Sequence, residues 1–259
     1  MNLLALLCFL SASIPTLDAA DAAIANQQSK KLRRKITRTA EANYLLFLPK
    51  DYQPRGEKRW PMILFLHGAG ERGTNLSKVA VHGPPKIVTS KPELPFVVVS
   101  PQCPNGQTWS DDVLLALLEE VTKKYKVDQS RIYLTGLSMG GFGTWSLGLR
   151  HPDRFAALAP ICGGGTILSA LLPDDEIKAR LKTLPIWVFH GAKDPVVKLE
   201  ESERLVNALK RAGNNAKLTV YPEANHDSWT ETYNNPVLYD WFLQQQNPLV
   251  TPEGRATKR

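Results

Sequence analysis

Seven short apolar runs punctuate the chain, and their texture limits what it can fold into. They are Tyr44–Leu48, Met62–Leu66, Phe96–Ser100, Arg131–Thr135, Ala156–Ile161, Ile186–Phe189 and Leu218–Tyr221. Most are continuous rather than alternating, the texture of strands buried on both faces of a parallel sheet. Helical patterns separate the later runs. In 110–125, Ser110 stands as N-cap, Asp111 and Asp112 open the helix and Lys123-Lys124 close it, an order that suits the helix dipole. Val113, Leu114, Leu117, Leu118 and Val121 share one face. Residues 197–212 repeat the theme with Leu199, Leu205, Val206 and Leu209, and Gly213 ends the helix. Pro236 opens a last helix with Leu238, Trp241 and Phe242. No fixed-period repeat or Gly/Ser-rich linker divides the 259 residues. The expected class is α/β, a mostly parallel twisted sheet with helices on both faces.

In such sheets the site lies at the carboxyl ends of the strands. After Arg131–Thr135 comes Gly136-Leu137-Ser138-Met139-Gly140, a G-x-S-x-G sequence between a strand and a helix. The turn is so tight that a side chain two residues either way would clash, which leaves Ser138 Oγ exposed at the sheet top. A nucleophilic serine needs a base, and the base an orienting acid, both later in the chain. His67, His82 and His151 precede Ser138 or lie in its own helix region, and His190 ends a strand as buried packing. His226 follows the last run in a loop and is the candidate base. Asp194, in Gly191-Ala192-Lys193-Asp194, follows the preceding strand and is the candidate acid. Asp227 adjoins His226 and is poorly placed to accept its Nδ1–H, and Asp174, Asp175 and Glu176 read as a solvated connection. An oxyanion hole needs backbone N–H groups: Met139, after the nucleophile, and Ala69, in the His67-Gly68-Ala69-Gly70 loop.

These motifs resemble those of the α/β-hydrolase superfamily. Within it the chain is similar to small single-domain serine esterases of the dienelactone-hydrolase-like, phospholipase/carboxylesterase and prolyl-oligopeptidase-like branches. The matching residues are Leu66 to Gly73, His82-Gly83-Pro84-Pro85, Pro101-Gln102-Cys103-Pro104 with Trp109, Gly136 to Gly141, Pro160 to Gly165, Gly191 to Asp194, and His226 with Trp229. They run in order over about residues 40–245. The resemblance implies an α/β-hydrolase fold without a large cap domain, since residues 163–184 are the only room for a lid. It implies a carboxylesterase-type serine hydrolase acting through an acyl-enzyme, on feruloyl or acetyl esters of polysaccharides. Peptidase-like, phospholipase and thioesterase activities on the same triad are the alternatives. The serine departs from dienelactone hydrolases, whose nucleophile is cysteine, and the length leaves no room for the propeller of prolyl oligopeptidases.

Gly68-x-Gly70-x-x-Gly73 also matches a dinucleotide fingerprint, but Gly83-Pro84-Pro85 interrupts the helix it would need and Glu93 precedes its strand. No NAD, other cofactor or metal is expected, because no His/Asp/Glu cluster has ligand spacing. Trp145 and Trp187 read as core, while Trp109 and Trp229 follow strand ends as candidate substrate contacts. Glu71 and Arg72 would form an ion pair holding the oxyanion loop or lie solvated. Cys103 and Cys162 sit at strand ends, and sequence alone does not pair them.

The formal charge is +7, yet residues 29–38 hold six bases and 253–259 three, leaving 23 bases against 22 acids in 39–252. Basic ends on a nearly neutral body do not make a nucleic-acid reader. Residues 3–14 form an apolar run followed by Ala20-Asp21-Ala22, the pattern of a secretory signal peptide. The expected organisation is a signal peptide over 1–22, a basic leader or edge strand over 23–38, the catalytic domain over 39–247 and a tail over 248–259. The expected protein is secreted or periplasmic. Its partners would be small or polysaccharide-linked esters, with no nucleic acid and no stable membrane anchor, and no pattern sets an oligomeric state.

Overall fold

The computed structural model describes residues 30–257. The signal peptide read over 1–22 lies outside them. The chain divides after Thr39 into two units. In the first, residues 30–39 are exposed and form neither helix nor strand, so the described part of 23–38 holds no edge strand.

The second unit holds a seven-stranded sheet: β1 (Tyr44–Phe47), β2 (Trp60–Leu66), β3 (Val97–Pro101), β4 (Val127–Leu137), β5 (Ala157–Ile161), β6 (Trp187–Gly191) and β7 (Lys217–Tyr221). Their order is β1-β3-β2-β4-β5-β6-β7. Only β1 runs antiparallel to its neighbour, with Tyr44 opposite Pro101; the remaining pairs are parallel. The continuous apolar runs are explained by two cores. Met62, Leu64 and Leu66 of β2 and Leu134 of β4 point into one, Ile63, Phe65 and Tyr133 into the other. Each fully buried side chain of this kind contributes about 1.5–3 kcal/mol.

The helices are α1 (Gly83–Ser90), α2 (Asp111–Lys124), α3 (Met139–Arg150), α4 (Leu168–Leu171), α5 (Asp175–Thr183), α6 (Leu199–Arg211), α7 (Trp229–Asn234) and α8 (Pro236–Leu243). Leu114, Leu117 and Leu118 of α2 and Leu205 and Leu209 of α6 cover the first core. Tyr233 of α7 and Leu238 and Phe242 of α8 cover the second. Ser110 stands at the N-cap of α2, although its hydroxyl makes no capping bond.

Two local readings are corrected. Gly83-Pro84-Pro85 does not interrupt a helix; it opens α1, because proline in a first turn lacks an N–H that would be unpaired there anyway. Asp174, Asp175 and Glu176 are not merely a solvated connection. Asp174 caps α5 by accepting from the Ile177 amide at 2.9 Å, and the two acids that follow suit the helix N-terminus. Residues 163–184 thus hold α4 and α5. Within the C-terminal segment from 248, Val250 bridges Ala256, and the Gln129 amide of β4 donates to Pro252 O at 3.0 Å. Among the described residues no helix is long and apolar enough to cross a membrane.

Candidate active site

β4 runs into α3 through one residue, Ser138, at φ 51° and ψ −117°. The left-handed φ is costly for serine and is held by its surroundings. The Ser138 amide donates to Ile161 O of β5 at 3.0 Å, and Ser138 O accepts from the Phe142 amide at 3.0 Å. The turn is possible because its flanks carry no side chains. A Cβ on Gly140 would lie 1.9 Å from Leu66 O, and one on Gly136 would lie 2.5 Å from Gly140 O.

The acid and base arrive on two loops that are stitched together. Ala192 N donates to Tyr221 O at 2.9 Å and Lys193 N to Ala224 O at 3.0 Å. His226 Nε2 then lies 2.9 Å from Ser138 Oγ, and its Nδ1 lies 2.7 Å from Asp194 Oδ2. Asp194 Oδ1 accepts from the amides of Val196 at 2.8 Å and Val197 at 2.9 Å. Burial works against the Asp194 charge. The His226 hydrogen bond and the Val197 and Val196 amides outweigh it and hold the carboxyl below its ordinary value. The three side chains named from sequence are therefore brought into one hydrogen-bonded relay. Asp227 makes no hydrogen bond within it and accepts instead from the Thr230 amide and hydroxyl of α7.

His190 is buried, as expected, but is more than packing. Its Nε2 donates to Val197 O at 2.8 Å and lies 3.3 Å from Asp194 Oδ2, while Nδ1 lies 2.7 Å from Ser202 Oγ. Cys162 is the neighbour the sequence did not reveal. It follows β5 at φ 40°, and its thiol, the Asp194 carboxylate and the His226 ring have ligating atoms within 4.8 Å of one another. Burial pushes that thiol up to about 12. Cys103 and Cys162 are both free and buried.

The loop after β2 is pinned at three consecutive carbonyls. Trp109 Nε1 donates to His67 O at 3.3 Å, His67 Nδ1 to Gly68 O at 2.6 Å and Arg72 Nε to Ala69 O at 3.0 Å. The Gly68 carbonyl and the Ala69 amide belong to one planar peptide, so fixing the first aims the second. Among the described residues neither the Ala69 nor the Met139 amide donates to a protein group. Of the two readings of Glu71 and Arg72, the ion pair between them does not form. Arg72 binds carbonyls, including Gln107 O at 3.2 Å, and Glu71 lies 3.9 Å from His67 and 4.0 Å from His82.

A cavity of about 700 Å³ opens beside Ser138. Met139, Phe142 and Trp109 line it near the serine, and Trp145, Ser146 and Arg150 farther along α3. Trp109 thus both lines the cavity and holds the loop. Trp145, read as core, is fully buried and also lines the cavity, because residues three and four apart share a helix face. Trp229 meets the His226 ring edge-on at 5.3 Å, outside the cavity lining. Trp187 packs against Phe189 and Trp241.

The Phospholipase/Carboxylesterase family model matches residues 108–235. A bifunctional acetylxylan esterase/xylanase of Neocallimastix patriciarum is 28% identical over 165 residues, covering 61% of this chain and 22% of that protein. A thermostable esterase of known structure is 36% identical with a TM-score of 0.63, over 78% of this chain and 59% of the other. A ferulic acid esterase shares the fold at a TM-score of 0.61 and 22% identity, over 77% and 89%. The chain spans 22%, 60% and 33% of the length of three curated relatives. With its mostly parallel sheet and serine turn, the chain has an α/β-hydrolase fold and is similar to esterases that share it.

Proposed function

We propose that the chain is a serine carboxylic-ester hydrolase working through an acyl-enzyme, with Ser138 as nucleophile, His226 as general base and Asp194 as the acid that orients it. The relay from Ser138 Oγ through His226 to Asp194, at 2.9 and 2.7 Å, carries this reading. His226 Nε2 takes the Ser138 proton as Oγ attacks the ester carbonyl. The Ala69 and Met139 amides donate to the oxyanion. His226 then protonates the leaving alcohol, and water repeats the sequence on the acyl-enzyme.

The cavity supports a choice of acyl group. The leaving oxygen must come within reach of His226 Nε2, and the cavity lining includes neither His226 nor Trp229. The alcohol therefore departs on the side of His226 and Trp229, and the cavity takes the acyl group. At about 700 Å³, walled by Trp109, Phe142 and Trp145, it suits an arylacyl group such as feruloyl far better than acetyl. Likeness to an acetylxylan esterase/xylanase and to a ferulic acid esterase supports a polysaccharide-linked alcohol, and the leader pattern over 1–22 supports export.

Ser138→Ala is expected to lose at least 99.9% of arylacyl esterase turnover while keeping its thermal midpoint. A fluorophosphonate probe on the unaltered chain is expected to map to Ser138. Unchanged turnover by the variant, or labelling elsewhere, overturns the assignment. Turnover of peptide amides rather than esters by the unaltered chain would favour the peptidase-like alternative.

A further inference from the structure

The acid of the relay is held by a loop that lies mostly in solvent. β6 ends at Gly191, and the chain passes through Asp194 and Pro195 to α6 at Leu199. Pro195, Val196 and Lys198 are exposed and Val197 is half-buried. Yet the Val196 and Val197 amides of this loop are the two donors that hold Asp194 Oδ1. Amides on an exposed loop fix a carboxylate only as firmly as the loop itself is fixed.

A buried histidine ties that loop inward. His190 lies on β6, four residues before Asp194, and is fully buried. Its Nε2 faces two atoms that only accept, Val197 O at 2.8 Å and Asp194 Oδ2 at 3.3 Å, so Nε2 carries the ring proton. The N–H is directed at Val197 O, and Nδ1 accepts from the Ser202 hydroxyl of α6 at 2.7 Å. Val197 thus gives its amide to Asp194 and its carbonyl to His190. The carboxylate is enclosed, with two amides on Oδ1 and the nitrogens of His226 and His190 beside Oδ2. A buried imidazole gains nothing over an apolar side chain of its size unless its nitrogens find partners. Here both do, and one of those partners is the residue that holds the acid. Neither nitrogen lies on the path from Ser138 Oγ through His226 to Asp194, and the cavity lining does not include His190.

We propose that His190 is a positioning residue for the relay. By anchoring Val197 O and standing against Asp194 Oδ2, it fixes the rotation of the Asp194 carboxylate and through it the aim of the His226 ring. The inference rests on the triad reading above and deepens it. A carboxylate that can rotate still accepts from His226, but the ring then holds Nε2 on Ser138 Oγ for less of the time. Displacements of about 1 Å in such an arrangement cost up to about 10²-fold in rate. The loss falls on kcat, because His190 is remote from the bound acyl group.

The test is a double-mutant cycle on the full chain with one arylacyl ester. His190→Met, which removes the donor, is expected to lower kcat about 10–100-fold with KM changed less than about twofold. His190→Gln can set an amide N–H where Nε2 stands and is expected to restore kcat to within about threefold of the unaltered chain. In an Asp194→Asn background His190→Met is expected to change kcat less than about twofold, because a residue acting through the acid has nothing left to position. Loss of folded protein would lower kcat equally in both backgrounds. An equal fall in both, or an unchanged kcat in His190→Met alone, overturns the proposal. Should His190→Met fail to fold, Ser202→Ala decides: freeing Nδ1 is expected to lower kcat about threefold in the unaltered background and not beside Asp194→Asn, and equal effects overturn the proposal. If Asp194→Asn itself retains full turnover, or the unaltered chain hydrolyses no ester, the triad reading fails and this proposal with it.

Discussion

Asp194 shows how a residue's surroundings set its role. Its Oδ2 meets His226, its Oδ1 takes two loop amides, and its side chain is fully buried. Asp194→Asn keeps the shape but offers an amide that donates where the His226 ring also donates, favouring the wrong tautomer. The expected result is a fall in kcat of about 10³–10⁴-fold with KM changed far less, read by steady-state kinetics on one ester; a fall in KM-dependent binding alone would point to a different acid. Asp194 and His226 were readable because each follows an apolar run whose carboxyl end must face the site. Asp227 was set aside because a residue adjoining His226 is poorly placed to accept its Nδ1–H, and it accepts from Thr230 instead. Cys162 was not readable as a neighbour of the relay. Its position depends on β5 and β6 ending side by side, with Cys162 N donating to Phe189 O at 2.8 Å, and no spacing in the sequence encodes that.

At the scale of elements, the serine turn is a three-way contact between β2, β4 and α3. Gly140 passes so close to β2 that a Cβ would meet Leu66 O at 1.9 Å and His67 O at 2.8 Å. Both obstacles are backbone, so no side-chain rearrangement makes room. Gly140→Ala is expected to destabilise the protein by about 3 kcal/mol or more, read as a lowered midpoint in urea, and to displace the loop that carries the Ala69 amide. A midpoint equal to that of the unaltered chain would mean that β2 and α3 are farther apart than described. The helices separate what a pattern can and cannot give. The α2 stripe was legible from Leu114, Leu117, Leu118 and Val121, which are buried, while Val113, read on the same face, is half-buried. The start of α1 was missed because Gly-Pro-Pro reads equally as a break or as a first turn, and the neighbours decide which.

Across the whole molecule, burial also governs the response to acid. His67 is fully buried, and desolvation by that burial holds its ring below the ordinary 6.5. Between its folded value and 6.5 the unfolded chain binds more protons than the folded one, so stability falls as pH drops through that window. Asp194, held below the ordinary 3.8, has stability to lose at still lower pH. The thermal midpoint is therefore expected to decline as pH is lowered from 7 to 5, and less steeply in His67→Gln, which keeps a donor without a titrating ring; identical slopes would exclude His67 as the source. By itself the sequence determined the sheet's strands, the glycine-flanked turn at Ser138 and the placing of Asp194 and His226 after later strands, because apolar continuity and glycine spacing act locally along the chain. Only the tertiary structure decided the pinned loop after β2, the cavity beside Ser138 and the closeness of Cys162 to Asp194 and His226. These depend on side chains from distant segments, such as Trp109 on His67 O and Ser169 opposite α3, meeting at distances that chain order does not fix.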